Sequence, residues 1–182
     1  MPTDAAVHPD VKEVLLTEPV LRDRIRELGA RITRDYAGRR LLVVGVLKGS
    51  LIFMADLLRE IGPEVDVHVD FVAVSSYAGS ASTGTIRVLL DLRESPEGRD
   101  MLVVEDIVDT GLTLSSLTET LRARKPRSLE VCTLLDKPDC REIPFQPKYV
   151  GFAIPNEFVV GFGLDCGERY RQLPYVGVLR TS

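Results

Sequence analysis

Apolar residues along the chain follow two periods, one typical of helices and one typical of strands. Five of them recur at helical spacing among arginines and glutamates and predict an amphipathic helix over 20–36: Leu21, Ile25, Leu28, Ile32 and Tyr36. Further helices are predicted over about 51–61 and over 112–124, and the latter carries leucines on one face. These helices are expected to pack their apolar faces against a core.

Strand-like segments separate the predicted helices. Apolar runs over 41–46 and 101–104 are typical of buried parallel strands, and 129–135 is a further predicted strand. The segment 65–69 alternates valines with polar residues, and a small-residue loop over 75–84 then leads to 86–90, which predicts an antiparallel pair. Shorter candidates are 149–154 and 175–179. Strands alternating with helices predict an α/β fold with a mainly parallel, twisted sheet, formed by one domain over 1–182.

Composition excludes several classes of protein. The 182 residues carry a formal net charge of -4, which argues against a nucleic-acid binder. Three cysteines without a CxxC pair indicate a reducing compartment without disulfides or a zinc site. With neither a signal peptide nor an apolar run long enough to span a membrane, the protein is expected to be cytoplasmic.

The most informative segment is 103–114, where an apolar strand runs into acidic residues, a Thr-Gly turn and a helix. Ligands of parallel sheets bind outside the carboxyl ends of strands. The turn Thr110–Thr113 presents backbone N–H groups at a helix N-terminus, which suits a phosphate, and Gly111 permits close approach. Glu105 and Asp106 would repel a phosphate but can accept hydrogen bonds from a vicinal diol. The pattern therefore predicts a ribose 5-phosphate site, with the strand frayed so that both carboxylates reach the sugar.

Residues 103–114 resemble the phosphoribosyl pyrophosphate (PRPP) signature of type I phosphoribosyltransferases, and about 18–179 resembles hypoxanthine-guanine phosphoribosyltransferases. The resemblance implies the type I phosphoribosyltransferase fold with a small hood, built from about 137–182 and N-terminal residues. It also implies a PRPP site formed by these residues: Glu105, Asp106, Asp109, Thr110, Gly111, Leu112 and Thr113.

A second turn follows the strand 41–46, where Lys48 and Gly49 open a helix and suit an anion. By resemblance this is the pyrophosphate loop, with a non-proline cis peptide before the lysine. Arg171 matches the arginine that contacts pyrophosphate in the family.

The segment that begins with Ser75, Ser76 and Tyr77 is either an idle loop or a lid. The resemblance implies a lid that closes over the site during the reaction, although family members often have glycine where this chain has Ala78. Closure would protect a cationic sugar intermediate from water.

Four residues match the family's purine site. Lys137 has hydrogen-bond donors but no acceptor, so it would bind the oxygen of a 6-oxopurine and reject the amino group of a 6-aminopurine. By resemblance Phe158 would stack on the base, Val159 would contribute backbone groups, and Asp165 would read the exocyclic group and orient hydrated magnesium. By contrast, Phe162 is expected in the core.

The resemblance implies a Mg²⁺-dependent transfer of the phosphoribosyl group to hypoxanthine or guanine. Asp109 would act as general base at purine N7. Glu105, Asp106 and Asp165 would hold the metal, mostly through water or ribose hydroxyls. The expected partners are PRPP, hypoxanthine and guanine, without nucleic acid or membrane, and the resemblance implies a homodimer or homotetramer.

The sequence is compatible with alternative functions. A xanthine-preferring transferase fits the same motifs, whereas Lys137 argues against adenine. A PRPP-sensing regulatory protein would need a basic face or an added DNA-binding domain, and a PRPP synthetase would need ATP-binding elements that the sequence does not display.

Overall fold

A computed structural model describes residues 7–76 and 86–180. In these ranges the chain forms two β-sheets and three α-helices. The helices are α1 (Glu18–Tyr36), α2 (Leu51–Glu60) and α3 (Leu112–Arg122). The strands are β1 (Val11–Leu16), β2 (Arg40–Leu47), β3 (Asp66–Ser76), β4 (Ile86–Leu90), β5 (Asp100–Val108), β6 (Ser128–Asp136), β7 (Tyr149–Ala153), β8 (Val159–Val160) and β9 (Val176–Leu179).

The large sheet has the strand order β4-β3-β2-β5-β6-β7. Its strands pair in parallel except for β3 and β4, which are antiparallel. The predicted mainly parallel sheet and its antiparallel pair are thereby confirmed. The carboxyl ends of β2, β5 and β6 lie side by side, so the turns that follow these strands meet at one edge of the sheet.

The central strands are buried on both faces. In β2, for example, Leu41 and Val43 pack into the core below α1 and α2, whereas Leu42 and Val44 pack into the core below α3. Because successive side chains of a strand point to opposite faces, both faces require apolar residues. The continuous apolar runs in the sequence follow from this double burial.

Helices α1 and α2 pack closely across one face of this sheet. The apolar side of α1 is fully buried, as its spacing predicted. A Cβ added at Gly29 would overlap Glu60 at the end of α2, so the absence of a side chain lets the two helices approach each other. The helix pair therefore fixes the position of α2 and of the Lys48–Ser50 turn that precedes it.

The small sheet joins the two ends of the described chain, in the order β1-β9-β8 with antiparallel pairs. Its own core includes Val11, Val160, Tyr170 and Tyr175. Strands β8 and β9 come from the segment 137–182 that was expected to contribute to a hood, whereas β7, from the same segment, pairs with β6 in the large sheet. The segment 137–182 therefore contributes to both sheets.

One boundary differs from the prediction. Strand β3 continues through Ser75 and Ser76, which pair with Arg87 and Ile86 of β4. The predicted loop over 75–84 therefore starts later than expected, because the antiparallel partner extends the strand. Tyr77 and the rest of that loop lie outside the described residues.

None of the helices in the described ranges combines the length and the hydropathy needed to cross a membrane.

Candidate active site

Three turns at the carboxyl edge of the large sheet bring most of the predicted residues together. Lys48 follows β2, Asp109 follows β5 and Lys137 follows β6. A cleft of about 230 Å³ opens beside β5 and the start of α3. The cleft is lined by Glu105, Asp106, Ile107, Val108, Asp109, Thr110, Gly111, Thr113 and Leu114.

Strand β5 does not fray at the two acidic residues, so that prediction is wrong. The strand runs to Val108, and Glu105 still pairs with Thr133 of β6. Both carboxylates nevertheless line the cleft, because each bends back onto the backbone. Glu105 Oε1 accepts from the N–H of Asp106 at 3.1 Å, and Asp106 Oδ1 accepts from the N–H of Ile107 at 2.8 Å.

The acidic pair is electrostatically unfavourable in the absence of a ligand. Burial, together with the neighbouring charge of Asp106, raises the pKa of Glu105 well above its ordinary value. Burial also raises the pKa of Asp106. A hydrogen bond from Glu105 and the charge of Arg171 offset the rise in the pKa of Asp106 only in part. Hydroxyl groups of a ligand would reduce the cost of burying these charges, since they donate hydrogen bonds to the charged form of a carboxylate.

The turn after Asp109 has the geometry of an anion cradle. Helix α3 begins at Leu112 behind Gly111, whose φ of 86° lies in the left-handed region that favours glycine. The N–H of Leu112 points back to Thr110 Oγ1 at 3.3 Å, and the Leu112 side chain does not line the cleft. Asp109 and Thr113 are exposed toward solvent. The positive end of the helix dipole therefore faces the cleft.

The predicted pyrophosphate residues meet at an acidic side chain. Lys48 Nζ lies 3.0 Å from Glu168 Oε2, and an Arg171 nitrogen lies 3.3 Å from Glu168 Oε1. Arg171 also pairs with Asp165 at 2.8 Å and donates to the carbonyl of Gly163. The peptide bond between Leu47 and Lys48 is cis, as the resemblance implied. Sequence reasoning missed the contact role of Glu168, because neither its type nor its spacing distinguishes it from other surface acids.

Three segments of the site touch through glycines. A Cβ at Gly49 would overlap the carboxylate of Asp106, and a Cβ at Gly163 would overlap the carbonyl of Gly49. The Lys48–Ser50 turn therefore packs its backbone against the Asp106 carboxylate of β5 and against the backbone of the segment before Arg171. This contact joins the predicted pyrophosphate and ribose sites.

Of the predicted purine residues, Lys137 lies next to Asp109. Lys137 is only 7% exposed, and its Nζ lies 3.8 Å from Asp109 Oδ2. Phe158 is 54% exposed and free to contact a ligand, whereas Val159 is held in β8 opposite Val178. Phe162 is buried in the core, as predicted.

Comparison with known proteins identifies the class that this fold and site define. Residues 12–166 match the model of the phosphoribosyl transferase domain, and the chain belongs to that family. It is 51% identical to a hypoxanthine-guanine phosphoribosyltransferase of Staphylococcus aureus, over 97% of this chain and 98% of the relative. It is also 50% identical to a bifunctional protein TilS/HprT of Listeria monocytogenes, of which it spans 27% of the length.

Solved structures agree with this assignment. A crystal structure of a Staphylococcus aureus hypoxanthine phosphoribosyltransferase superposes with a TM-score of 0.93 at 50% identity, covering 98% of this chain and 96% of that one. The hypoxanthine phosphoribosyl transferase of Trypanosoma cruzi gives a TM-score of 0.91 at 44% identity, covering 96% and 94%. The predicted type I phosphoribosyltransferase fold is thereby confirmed.

Proposed function

We propose that the protein joins hypoxanthine or guanine to PRPP, giving IMP or GMP and pyrophosphate in purine salvage. The observation that carries this proposal is the single cleft that combines Glu105 and Asp106 with the anion-cradling turn 109–113. A diol next to a phosphate is the ligand that satisfies both parts. The similarity to hypoxanthine-guanine phosphoribosyltransferases supports the choice of base.

Ribose 5-phosphate would bind with its phosphate on the turn 110–113 and its two hydroxyls on Glu105 and Asp106. The backbone N–H groups at the start of α3 suit the phosphate. Carboxylates that accept from hydroxyls add about 1.5–3 kcal/mol each and relieve their own desolvation. The negative charge of the pair would also stabilise positive charge developing at C1′.

The pair Lys137 and Asp109 matches one edge of a 6-oxopurine. O6 and N7 are neighbours on that edge, and here a donor and an acceptor lie 3.8 Å apart. The Lys137 ammonium would bind O6, and Asp109 would take the N7 proton as N9 attacks C1′. An adenine amino group would leave the buried ammonium without an acceptor, so adenine should be rejected.

Lys48, Gly49 and Arg171 would hold the departing pyrophosphate. The two cations already converge on one carboxylate, Glu168, which marks a position where an anion is stabilised. The lid predicted from Ser75, Ser76 and Tyr77 would close over this side of the site, and Phe158 would stack on the base.

Magnesium is compatible with the residues at the site. The described residues contain no group of three potential ligands, so they do not form a closed protein cage. Glu105, Asp106 and Asp165 can instead accept hydrogen bonds from the water shell of an ion carried by the substrate, which is a common way to bind Mg²⁺. When bound, the ion would neutralise charge on the leaving pyrophosphate.

A cytoplasmic homodimer or homotetramer remains part of the proposal. The related Trypanosoma cruzi enzyme has been examined for the role of its C-terminal region in oligomeric state and enzymatic activity. In this chain Leu51, Val69 and Leu89 are exposed apolar side chains that a second subunit would cover. Sedimentation of the purified protein tests the oligomeric state directly.

The function is tested by pyrophosphate release from PRPP and Mg²⁺ with hypoxanthine, guanine, xanthine or adenine. Release with hypoxanthine and guanine is expected. Preference for xanthine would change the substrate, and activity with adenine alone would overturn the role of Lys137. A protein that binds PRPP but releases no pyrophosphate with any base would be a sensor rather than a transferase.

Asp109→Asn tests the general base. It should lower kcat by roughly 10²–10⁴-fold and weaken PRPP binding much less. Asp139→Asn, an exposed aspartate two residues after Lys137, is the matched control and should retain wild-type kcat. Equal losses in kcat and PRPP affinity for Asp109→Asn would remove it from the catalytic role.

A further inference from the structure

Arg141 connects the two strand ends that carry the predicted catalytic groups. One guanidinium nitrogen donates to the backbone carbonyl of Asp109, directly after β5. Another donates to the carboxylate of Asp136, the last residue of β6. Both partners in this ion pair are largely buried, with Arg141 13% and Asp136 14% exposed. Sequence reasoning did not single out Arg141, since a lone arginine in a Pro-rich loop is usually a surface residue.

The surrounding backbone forms a continuous contact between the same two segments. The N–H of Lys137 donates to the carbonyl of Val108 at 2.9 Å, and the N–H of Glu142 donates to the carbonyl of Thr110 at 3.0 Å. Gly111 faces the Arg141 side chain so closely that an added Cβ would lie 3.0 Å from its Cδ. The loop 137–142 therefore lies directly over the turn that follows β5, with the Arg141 guanidinium between them.

The hydrogen bond from Arg141 to the Asp109 carbonyl fixes a whole peptide group and not the oxygen alone. The peptide plane that contains this carbonyl also contains the N–H of Thr110, because the peptide bond is planar. Its orientation therefore sets the direction of the first N–H of the phosphate turn. Since Asp136 immediately precedes Lys137, the same guanidinium also fixes the position of the Lys137 backbone. A planar guanidinium can bind two acceptors in fixed directions, which an ammonium cannot.

We propose that Arg141 is a positioning residue that holds the turn 109–113 at a fixed distance and orientation from Lys137. This inference rests on the proposed function, because it assigns a purpose to the spacing between Asp109 and Lys137. It acts through Asp109 and Asp136, and the reaction depends on it because displacement of a reacting group by about 1 Å can cost on the order of 10²-fold in rate.

The first test is Arg141→Met, which keeps the aliphatic stem and removes both donors. We expect kcat with hypoxanthine to fall roughly 10- to 100-fold and PRPP affinity, measured by calorimetry, to fall about tenfold. Arg141→Lys restores one donor and should recover part of kcat. The matched control is Arg24→Met, because Arg24 also donates to two carbonyls, those of Gly151 and Val150, away from the site. It should leave kcat and PRPP affinity within about twofold of wild type.

A double variant separates positioning from stability. Arg141→Met alone leaves the Asp136 carboxylate unpaired, so its Tm should fall; adding Asp136→Asn removes that charge and should raise Tm again. If Arg141 positions the turn, kcat and PRPP affinity stay low in the double variant. If both recover together with Tm, the role is only structural and the proposal is overturned.

The two hypotheses fail in different ways. A wild-type protein that binds PRPP but transfers to no base would contradict the proposed function, while the effect of Arg141→Met on PRPP affinity would still decide the positioning role. A wild-type protein that does not bind PRPP would overturn both.

Discussion

Strand β5 carries carboxylates near both of its ends, and the two ends differ in how the carboxylate charge is compensated. Asp100, at the amino end, is 1% exposed and accepts hydrogen bonds from Arg127 and Ser128. The hydrogen bonds from Arg127 hold the pKa of Asp100 below its ordinary value. Near the carboxyl end, Glu105 and Asp106 lie beside each other, share a side-chain hydrogen bond and accept from backbone N–H groups, and burial raises the pKa of both.

The difference separates an acid whose charge is satisfied within the fold from acids whose charges the fold leaves largely uncompensated. Asp100 joins β5 to the start of β6, and its charge is satisfied within the protein. The pair at 105–106 is compensated only in part, by the hydrogen bond between the two carboxyl groups and by the charge of Arg171, so the folded protein carries an electrostatic cost that hydroxyls of a ligand would reduce. Unfavourable electrostatics of this kind concentrate at functional sites.

The largest effect on stability is expected from removing the charge of Asp100, whose hydrogen bonds are satisfied within the protein. Asp100→Asn should lower the free energy of unfolding by about 2 kcal/mol, less than the 3–5 kcal/mol typical of fully buried pairs, because the Arg127 side chain is 56% exposed. Thermal unfolding should show a Tm about 4–8 °C lower. PRPP affinity should not change, since the residue lies at the opposite edge of the sheet.

Asp66→Asn is the control for that change. Asp66 also pairs with an arginine at the amino edge, at 2.9 Å from Arg40, but its side chain is 58% exposed. Its Tm should fall clearly less than that of Asp100→Asn. Equal losses would mean that burial of Asp100 does not determine its contribution.

The contribution of Asp100 should depend on pH with a definite sign. Because its folded-state pKa lies below its ordinary value of 3.8, the unfolded protein takes up the proton at higher pH than the folded protein. The stabilisation is therefore present above about pH 4 and is lost as pH falls through the folded-state pKa. Unfolding free energies of wild type and Asp100→Asn, measured between pH 7 and pH 3, should converge toward the acid end. A constant difference would contradict this origin.

Glu105→Gln should act in the opposite direction on stability. It removes one charge from the desolvated pair, so the unliganded protein should gain about 1 kcal/mol and its Tm should rise about 2–4 °C. PRPP binding should weaken roughly tenfold or more, because a charged acceptor for a ribose hydroxyl is lost. A decrease in Tm without PRPP would show that Glu105 is already satisfied by the protein.

The smallest effect concerns Glu168, an acid at the carboxyl edge that does have cationic partners. Glu168→Gln releases Lys48 and Arg171 from an exposed ion pair, so PRPP should bind roughly two- to fivefold more tightly. Glu97→Gln, an exposed acid in the loop before β5, controls for net charge alone. An unchanged KM for PRPP in Glu168→Gln, or the same change in both variants, would show that Glu168 does not compete for the two cations.

Much of the site could be predicted because its residues are consecutive. The order of apolar strand, acids and Thr-Gly turn over 103–114 defines a local structure, and its chemistry is readable from that order. Whether β5 stays regular at the two acidic residues could not be read from the sequence, and the predicted fraying is wrong. Pairing with Thr133, 28 positions away, keeps β5 regular, while the side chains reach the cleft by bending onto their own backbone.

The sequence alone therefore determined the fold class, the parallel strands and the turns that follow them, because periodicity and turn chemistry act over a few residues. Only the tertiary structure decided that Arg141 reaches Asp109 across 32 positions, and that Glu168 meets Lys48 across 120. Such contacts depend on which strand ends become neighbours in the sheet, and residues that act only through distant partners carry no local pattern that would reveal them.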